Sequence, residues 1–273
     1  MFEKVNPCHP DKLADRIGGA IVDLGYRMQN NPKIAGECLI GHDDCHIIIE
    51  TSVPYEEKDI KAIVERIAGN VKLDLKIVPQ DVHLASNQST EIKCGDNGIF
   101  KACEVSVEEQ KLTEIVKKLF NENPSDGKYI IDNEDSTIIA CQSNIETNKL
   151  KDELSTLGFK KVVVNPLGDW TGGINVDTGA TNRKLGSDMG RAVTGGGLHF
   201  KDISKSDVSV NVYLHMLANK EHLKEVTCKC AIGDSELIIN NKKMSYKEVT
   251  DEALKYIKEI GGFEKLTEWG LIR

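Results

Sequence analysis

The sequence predicts an α+β fold of three similar α/β units, in which paired strands form the sheets and helices pack on one face. Two observations predict it. Runs of alternating or β-branched residues come in pairs, and each pair is followed by apolar residues at helical spacing. This order recurs about three times, which suggests a repeated α/β unit rather than a βαβ parallel sheet. The expected units span 1–93, 94–175 and 176–273.

The elements follow in order. Leu13, Ile17, Ile21, Leu24 and Met28 make one apolar face between Lys12 and Met28, which predicts a helix. "ECLIG" and "CHIIIETSV" read as strands, Tyr55–Ala68 as a helix and "LDLKIV" as a strand. "VSVEEQKLTEIVKKLF" is helical; "KYIID" and "STIIACQ" flank the polar turn "NED" as a hairpin. A helix near Glu146–Leu157 leads into "KKVVVNP". Beyond a glycine-rich stretch come a helix at Asp207–Asn219, strands around "TCKCAIG" and "ELIIN", and a helix at Tyr246–Ile260.

Composition narrows the function classes. With 273 residues, 40% of them hydrophobic, the chain can bury a substantial core. A net charge of −8 argues against nucleic acid held on a general basic surface, so any polyanion must meet locally gathered cations. No apolar run spans a bilayer and no apolar signal region opens the chain, which leads us to expect a cytoplasmic protein without membrane contact. The 8 cysteines are scattered without a CxxC pair and read as buried free thiols. Cys228 and Cys230 share one face of a strand, but no second Cys/His pair completes a zinc set.

Candidate chemistry gathers between Val164 and Asp207. "NPLGDWTGG" and "VTGGGLHF" are too rich in glycine for regular elements and read as loops that turn sharply or approach a ligand. Arg183, Lys184, Lys201 and Lys205 lie among them, a cation set suited to a phosphorylated ligand. Read alone, the same residues make an ordinary solvated loop. No GxxxxGK[ST] or strand-borne GxGxxG is present. "KDISKSD" places Asp207 at a helix start, where it can cap the helix or share magnesium with phosphate. "CHPDK" sets His9 and Asp11 at another helix start. Asp126 and Lys128 in "SDGKYIID", and Asp96 in "CGDNGIF", occupy tight turns that also face into strands.

In order along the chain these motifs resemble those of the S-adenosylmethionine synthetase (methionine adenosyltransferase) family. "CHPDK" is similar to the family's GHPDK, "GDNG" to GDQG, and "DGK" recurs intact. "NPLGDWTGG" resembles NPTGRFVIGG, "NRKLGSD" resembles GRKIIVD, and "TGGGLHFKDISKSD" resembles HGGGAFSGKDPSKVD. "AIG" at Ala231–Gly233 also matches. The resemblance implies an S-adenosylmethionine synthetase fold and synthesis of S-adenosylmethionine from ATP and L-methionine, with tripolyphosphate cleaved to pyrophosphate and phosphate. It implies catalytic roles for His9 near the ribose O5′, for Lys128, Arg183, Lys184, Lys201 and Lys205 on the phosphates, and for Asp177 near the ribose. Two Mg²⁺ per site would be held by Asp11 and Asp207, and K⁺ by Glu37. Trp170 and Ile232 would flank adenine; Glu50, Gln88 and Asp96 would bind methionine; Glu3 matches a glutamate that precedes the histidine. A homodimer with active sites at its interface, or a tetramer of two such dimers, is also implied.

Departures accompany the match. "TEIKC" between "NQS" and "GDNG" replaces a longer lid loop, and the final helical region ends early at "GLIR". Asp169 stands where the family has arginine, Pro7 where it has glutamate, Thr194 where it has histidine, and Lys101 where it has a small residue. Two other functions remain open on the sequence: a non-catalytic ATP-binding regulatory subunit of the same fold, and a phosphohydrolase acting on ATP or tripolyphosphate.

Overall fold

The computed structural model describes residues 1–273. A short strand β1 (Phe2–Val5) leads to helix α1 (Pro10–Met28). Pro10 suits the first helical position, where an N–H would have no partner, and His9 caps the helix, its Nδ1 accepting from the Asp11 N–H at 3.2 Å. β2 (Ile34–Gly41) and β3 (Asp44–Thr51) form an antiparallel hairpin; α2 (Glu57–Ala68) follows, and β4 (Lys72–Pro79) returns parallel to β3. The same plan recurs after α3 (Val82–Asn87) and β5 (Gly98–Ala102). Helix α4 (Val107–Glu122) starts at a Ser106–Glu109 capping box, β6 (Gly127–Asp132) and β7 (Thr137–Gln142) pair antiparallel, and α5 (Thr147–Ser155) leads to β8 (Lys161–Val164), parallel to β7. Then come β9 (Thr178–Ala180), α6 (Leu185–Met189), α7 (Ser206–Lys220), β10 (Val226–Cys230), β11 (Glu236–Ile239), β12 (Lys242–Ser245), α8 (Tyr246–Glu259) and α9 (Phe263–Trp269).

The expected recurrence of paired strands and a helix is present, and twice it continues further than expected. After α2 and after α5 a strand joins the sheet in parallel, the arrangement a helical crossover makes natural. The sheets are therefore mixed: β4-β3-β2-β9 and β1-β6-β7-β8, with β5 paired to β10 and β11 to β12. Strands cross between stretches of chain. β1 lies beside β6, β9 beside β2, and β5 beside β10.

Alternation along the strands sets the layers. Cys38, Ile40, Ile47 and Ile49 pack against Leu13, Ile17 and Ile21 of α1, forming the largest of three apolar cores. Glu37, Leu39, His46, Ile48 and Glu50 point from the opposite, open face of that sheet. Cys228 and Cys230 face inward from β10 into a second core with Phe100 and Tyr246. A third core lies under β6 and β7, with Tyr129, Ile131 and Leu150. No helix is long and apolar enough to cross a membrane.

Candidate active site

Two helix starts, one sheet edge and the glycine-rich loops converge on one side of the molecule. At the start of α1, the His9 ring spends Nδ1 on the helix cap, which leaves Nε2 to carry the N–H. Burial, helped by the Lys184 ammonium, lowers the imidazole to about 4, against the opposing pull of Asp11 and Asp177. The ring is neutral at ordinary pH. Lys128, from β6, is the other cation that acts on it.

Asp11 is buried and fully engaged. Its Oδ1 accepts from the Ala180 N–H at 2.8 Å, and its Oδ2 meets Lys184 Nζ at 2.5 Å, with Arg183 at 3.5 Å from Oδ1. The close approach of β9 to the start of α1 requires Gly179, because a Cβ there would run into the Pro10 carbonyl. Lys128 Nζ lies 3.0 Å from Glu3, which β1 places opposite Ile130, two residues along from the Val5–Lys128 pair and so on the same face of the sheet. Asp126 is buried beside this group and accepts from the Gly173 N–H at 3.1 Å; burial lifts its carboxyl to about 6. Asp177 is exposed and bonds the next N–H, that of Thr178, at 2.8 Å.

The second helix start is α7. Asp207 is buried, and its Oδ2 holds Lys201 Nζ at 2.5 Å. Gly196, in the left-handed region at φ +80°, lies against this carboxylate so closely that a Cβ would collide with it. Lys205, at the N-cap of α7, pairs with no carboxylate, and its stem lies near Gly95. Asn182 links the two helix starts. Its amide bonds both backbone groups of His199, and it precedes Arg183 on one side of the site while His199 follows the glycine loop on the other.

The remaining residues proposed from the sequence fall around this centre. Trp170 lines two pockets of about 350 and 360 Å³, and its Nε1–H donates to Asn165 at 3.1 Å. Ile232 is half exposed on a separate loop, where its N–H donates to Asn97 at 2.9 Å; Asp96 is exposed beside it. Gln88 ends α3 and uses its amide on both backbone groups of Lys93, at 2.5 and 3.2 Å, closing the short 88–93 turn. Glu37 accepts a hydrogen bond from the Thr181 hydroxyl, and Glu50 is exposed; both lie on the open face of the β2–β3 sheet. Asp169, the departure beside Trp170, accepts from the Thr147 N–H at 2.8 Å and its hydroxyl at 2.6 Å, capping α5 from outside that helix.

Sequence reasoning passed over a second layer. Lys12, Asp15, Asp188 and His199 form a buried polar group behind the cations, and Asn182 reaches it. The visible signal was a lysine and an aspartate three residues apart on the apolar side of α1.

No protein-family model matches the chain. The S-adenosylmethionine synthase of Fusobacterium nucleatum is 27% identical over 301 residues, covering 90% of this chain and 78% of that protein. The S-adenosylmethionine synthase of Mesoplasma florum is 27% identical over 328 residues, covering 92% and 85%. Among solved structures, an S-adenosylmethionine synthetase from Campylobacter jejuni described as unusual superposes with a TM-score of 0.73 at 18% identity, over 99% of this chain and 93% of that one.

Proposed function

We propose, for a chain that is a divergent member of the S-adenosylmethionine synthase family, that it transfers the adenosyl group of ATP to L-methionine and then cleaves the tripolyphosphate. The methionine sulfur attacks C5′, the C5′–O5′ bond breaks, and its electron pair leaves with the tripolyphosphate. Water then divides that product into pyrophosphate and phosphate. A thioether needs no general base, so rate comes from alignment and from stabilising the leaving oxyanion.

One observation carries this reading: a neutral His9, with its Nδ1 fixed by the helix cap, offers Nε2–H amid Lys128 and Lys184. A neutral donor there strengthens its bond as O5′ gains charge and has no proton to lose first. Arg183, Lys184, Lys201 and Lys205 form the two arms of a clamp for the polyphosphate, and Lys128 meets it from β6. Each arm except Lys205 now rests on a carboxylate that phosphate oxygens would displace. Trp170 offers its ring as a base platform, with Ile232 for the opposite face. Glu50, Gln88 and Asp96 serve the methionine, and Asp177 the ribose.

Two magnesium ions fit this set. Asp11 and Asp207 each already hold an ammonium group at 2.5 Å, the place a cation takes, and magnesium needs few carboxylates when phosphate and water complete its shell. Bound there, magnesium supplies positive charge against the polyphosphate. Glu37 has one carboxylate oxygen taken by Thr181 and offers the other to potassium.

The open sheet face supports a homodimer. Leu39 and Ile48, each about half exposed, are surrounded there by Glu37, His46 and Glu50. In such a dimer Glu50 of one subunit would serve the partner's site.

Incubation with ATP, L-methionine, Mg²⁺ and K⁺ followed by mass spectrometry is expected to show S-adenosylmethionine. Absence of product with every divalent metal tried overturns the proposal. Phosphate release from tripolyphosphate, with ATP turnover indifferent to methionine, assigns a phosphohydrolase in its place.

A further inference from the structure

The proposed chemistry makes no use of four polar side chains buried behind the clamp. Lys12, Asp15, Asp188 and His199 each expose 2% or less of their surface. Lys12 Nζ lies 2.7 Å from Asp188 Oδ1 and 3.4 Å from Asp15 Oδ2. His199 Nε2 lies 2.8 Å from Asp188 Oδ2 and 3.8 Å from Asp15 Oδ2. The ring's proton therefore belongs on Nε2, between two carboxylates, and Nδ1 has no partner. Burial pushes the Asp188 carboxyl up, but Lys12 and His199 outweigh it and hold the group well below the usual range; burial leaves Asp15 raised.

The backbone of His199 belongs to the same network. Its N–H donates to Asn182 Oδ1 at 2.8 Å, its carbonyl accepts from Asn182 Nδ2 at 3.4 Å, and the Asn182 N–H donates to Asp15 Oδ1 at 2.8 Å. Asn182 leads directly into Arg183 and Lys184. His199 joins the Gly195–Gly197 loop to Lys201. The two arms of the clamp thus depart from two residues that are bonded to each other and to one buried carboxylate pair.

We infer that His199 is a positioning residue: with its ring bonded to Asp188 and its backbone bonded to Asn182, whose own N–H is held by Asp15, it fixes the spacing between the Arg183–Lys184 arm and the Lys201–Lys205 arm of a polyphosphate site. This inference rests on the proposed function only for the identity of the ligand. A metal centre fits the group less well. Donor atoms of Asp15, Asp188 and His199 do lie within 4.8 Å of one another. However, Lys12 is wholly buried and, unlike Lys184 and Lys201, has no phosphate to turn to if a metal displaced it, and a metal-binding imidazole ordinarily donates its second N–H to an acceptor, which Nδ1 lacks.

Calorimetric titration of the full chain with inorganic tripolyphosphate and Mg²⁺ tests the inference, together with steady-state kinetics. His199→Leu is expected to weaken tripolyphosphate binding and raise the KM for ATP by about tenfold to a hundredfold, the scale of one lost charged hydrogen bond. The KM for methionine should stay within about twofold. His199→Gln, whose amide can donate to Asp188, is expected to recover most of the loss. If His199→Leu does not fold, Asn182→Ala carries the test, since it leaves all four buried polar side chains in place and should produce the same weakening. Wild-type tripolyphosphate affinity in a folded His199→Leu or Asn182→Ala protein overturns the inference. So does a folded His199→Gln protein no better than His199→Leu, or a stoichiometric divalent metal that the wild type retains without added ligand and the His199→Leu protein does not. Tripolyphosphate binding that responds as described in a protein making no S-adenosylmethionine sinks the proposed reaction and leaves this inference standing.

Discussion

Nδ1 and Nε2 of His9 serve different ends, so substitutions can separate them. His9→Ala removes the helix cap as well as the Nε2–H donor, and should cost about 1 kcal/mol of stability. It should also lower kcat by about a hundredfold to a thousandfold, with the KM for ATP changed only a few-fold. His9→Asn keeps a capping oxygen and should restore the stability without the rate. Chemical denaturation and steady-state kinetics on the pair read the two effects; equal losses in kcat and ATP affinity would contradict the role given to His9. Asp126 provides a pH prediction. Its folded carboxyl sits at about 6, raised by burial from an ordinary 3.8, so the folded state holds a proton that the unfolded chain has released. Stability contributed by this group is present below pH 4 and is lost as pH rises toward 6. Asp126→Asn should flatten that part of the stability profile, measured by urea unfolding at several pH values.

At the scale of elements, the end of the chain is tied to its beginning by one side chain. Lys4 of β1 is buried, and its Nζ donates to the carbonyls of Ser187, Trp269 and Ile272 at 3.1, 2.7 and 2.6 Å. Strand β1, helix α6 and the turn after α9 therefore meet at one ammonium group. Lys4→Met should destabilise the protein by about 3 kcal/mol, because three buried carbonyls lose a donor that water cannot replace. Burial lowers this lysine to about 7, so stability should rise as pH climbs from 7 toward the ordinary lysine value, and Lys4→Met should abolish that rise. Thermal unfolding of both proteins from pH 6 to 9 checks both points. The tie also shows which elements the sequence could disclose. Helices α1, α2, α4 and α8 carry a full apolar stripe or a capping box and were legible from local pattern alone. Strands β1 and β9 have four and three residues, and distant partners define them as strands.

For the whole molecule, the open face of the β2–β3 sheet is the surface on which association should depend. Ile48→Lys places a charge at its centre, next to Glu37 of β2, without entering the core. It should convert a dimer to monomers in sedimentation velocity and reduce turnover with it, while thermal unfolding changes little beyond the loss of the partner. An unaltered sedimentation coefficient would exclude this face as the interface. The outer part of the site was legible from motifs, because glycines, lysines and aspartates at loop and helix starts keep their identity when read in order. The inner part was not. Asp15 stands far along the chain from Asp188 and His199, no motif joins the three, and only folding brings them together.

The strands that cross between stretches of chain bear on how the protein is made. During synthesis β1 leaves the ribosome well before β6, so Phe2 must wait for Ile131 before it has a neighbour, and Phe100 of β5 waits for Cys228. Chains emerge N-terminus first, so for part of that interval β1 and β5 present unpaired edges. A nascent chain halted before β6 should therefore engage a holding chaperone more strongly than one halted just after β8, when the β1-β6-β7-β8 sheet can close. The protein acquires its fold in overlapping instalments, each completed by a segment that arrives late.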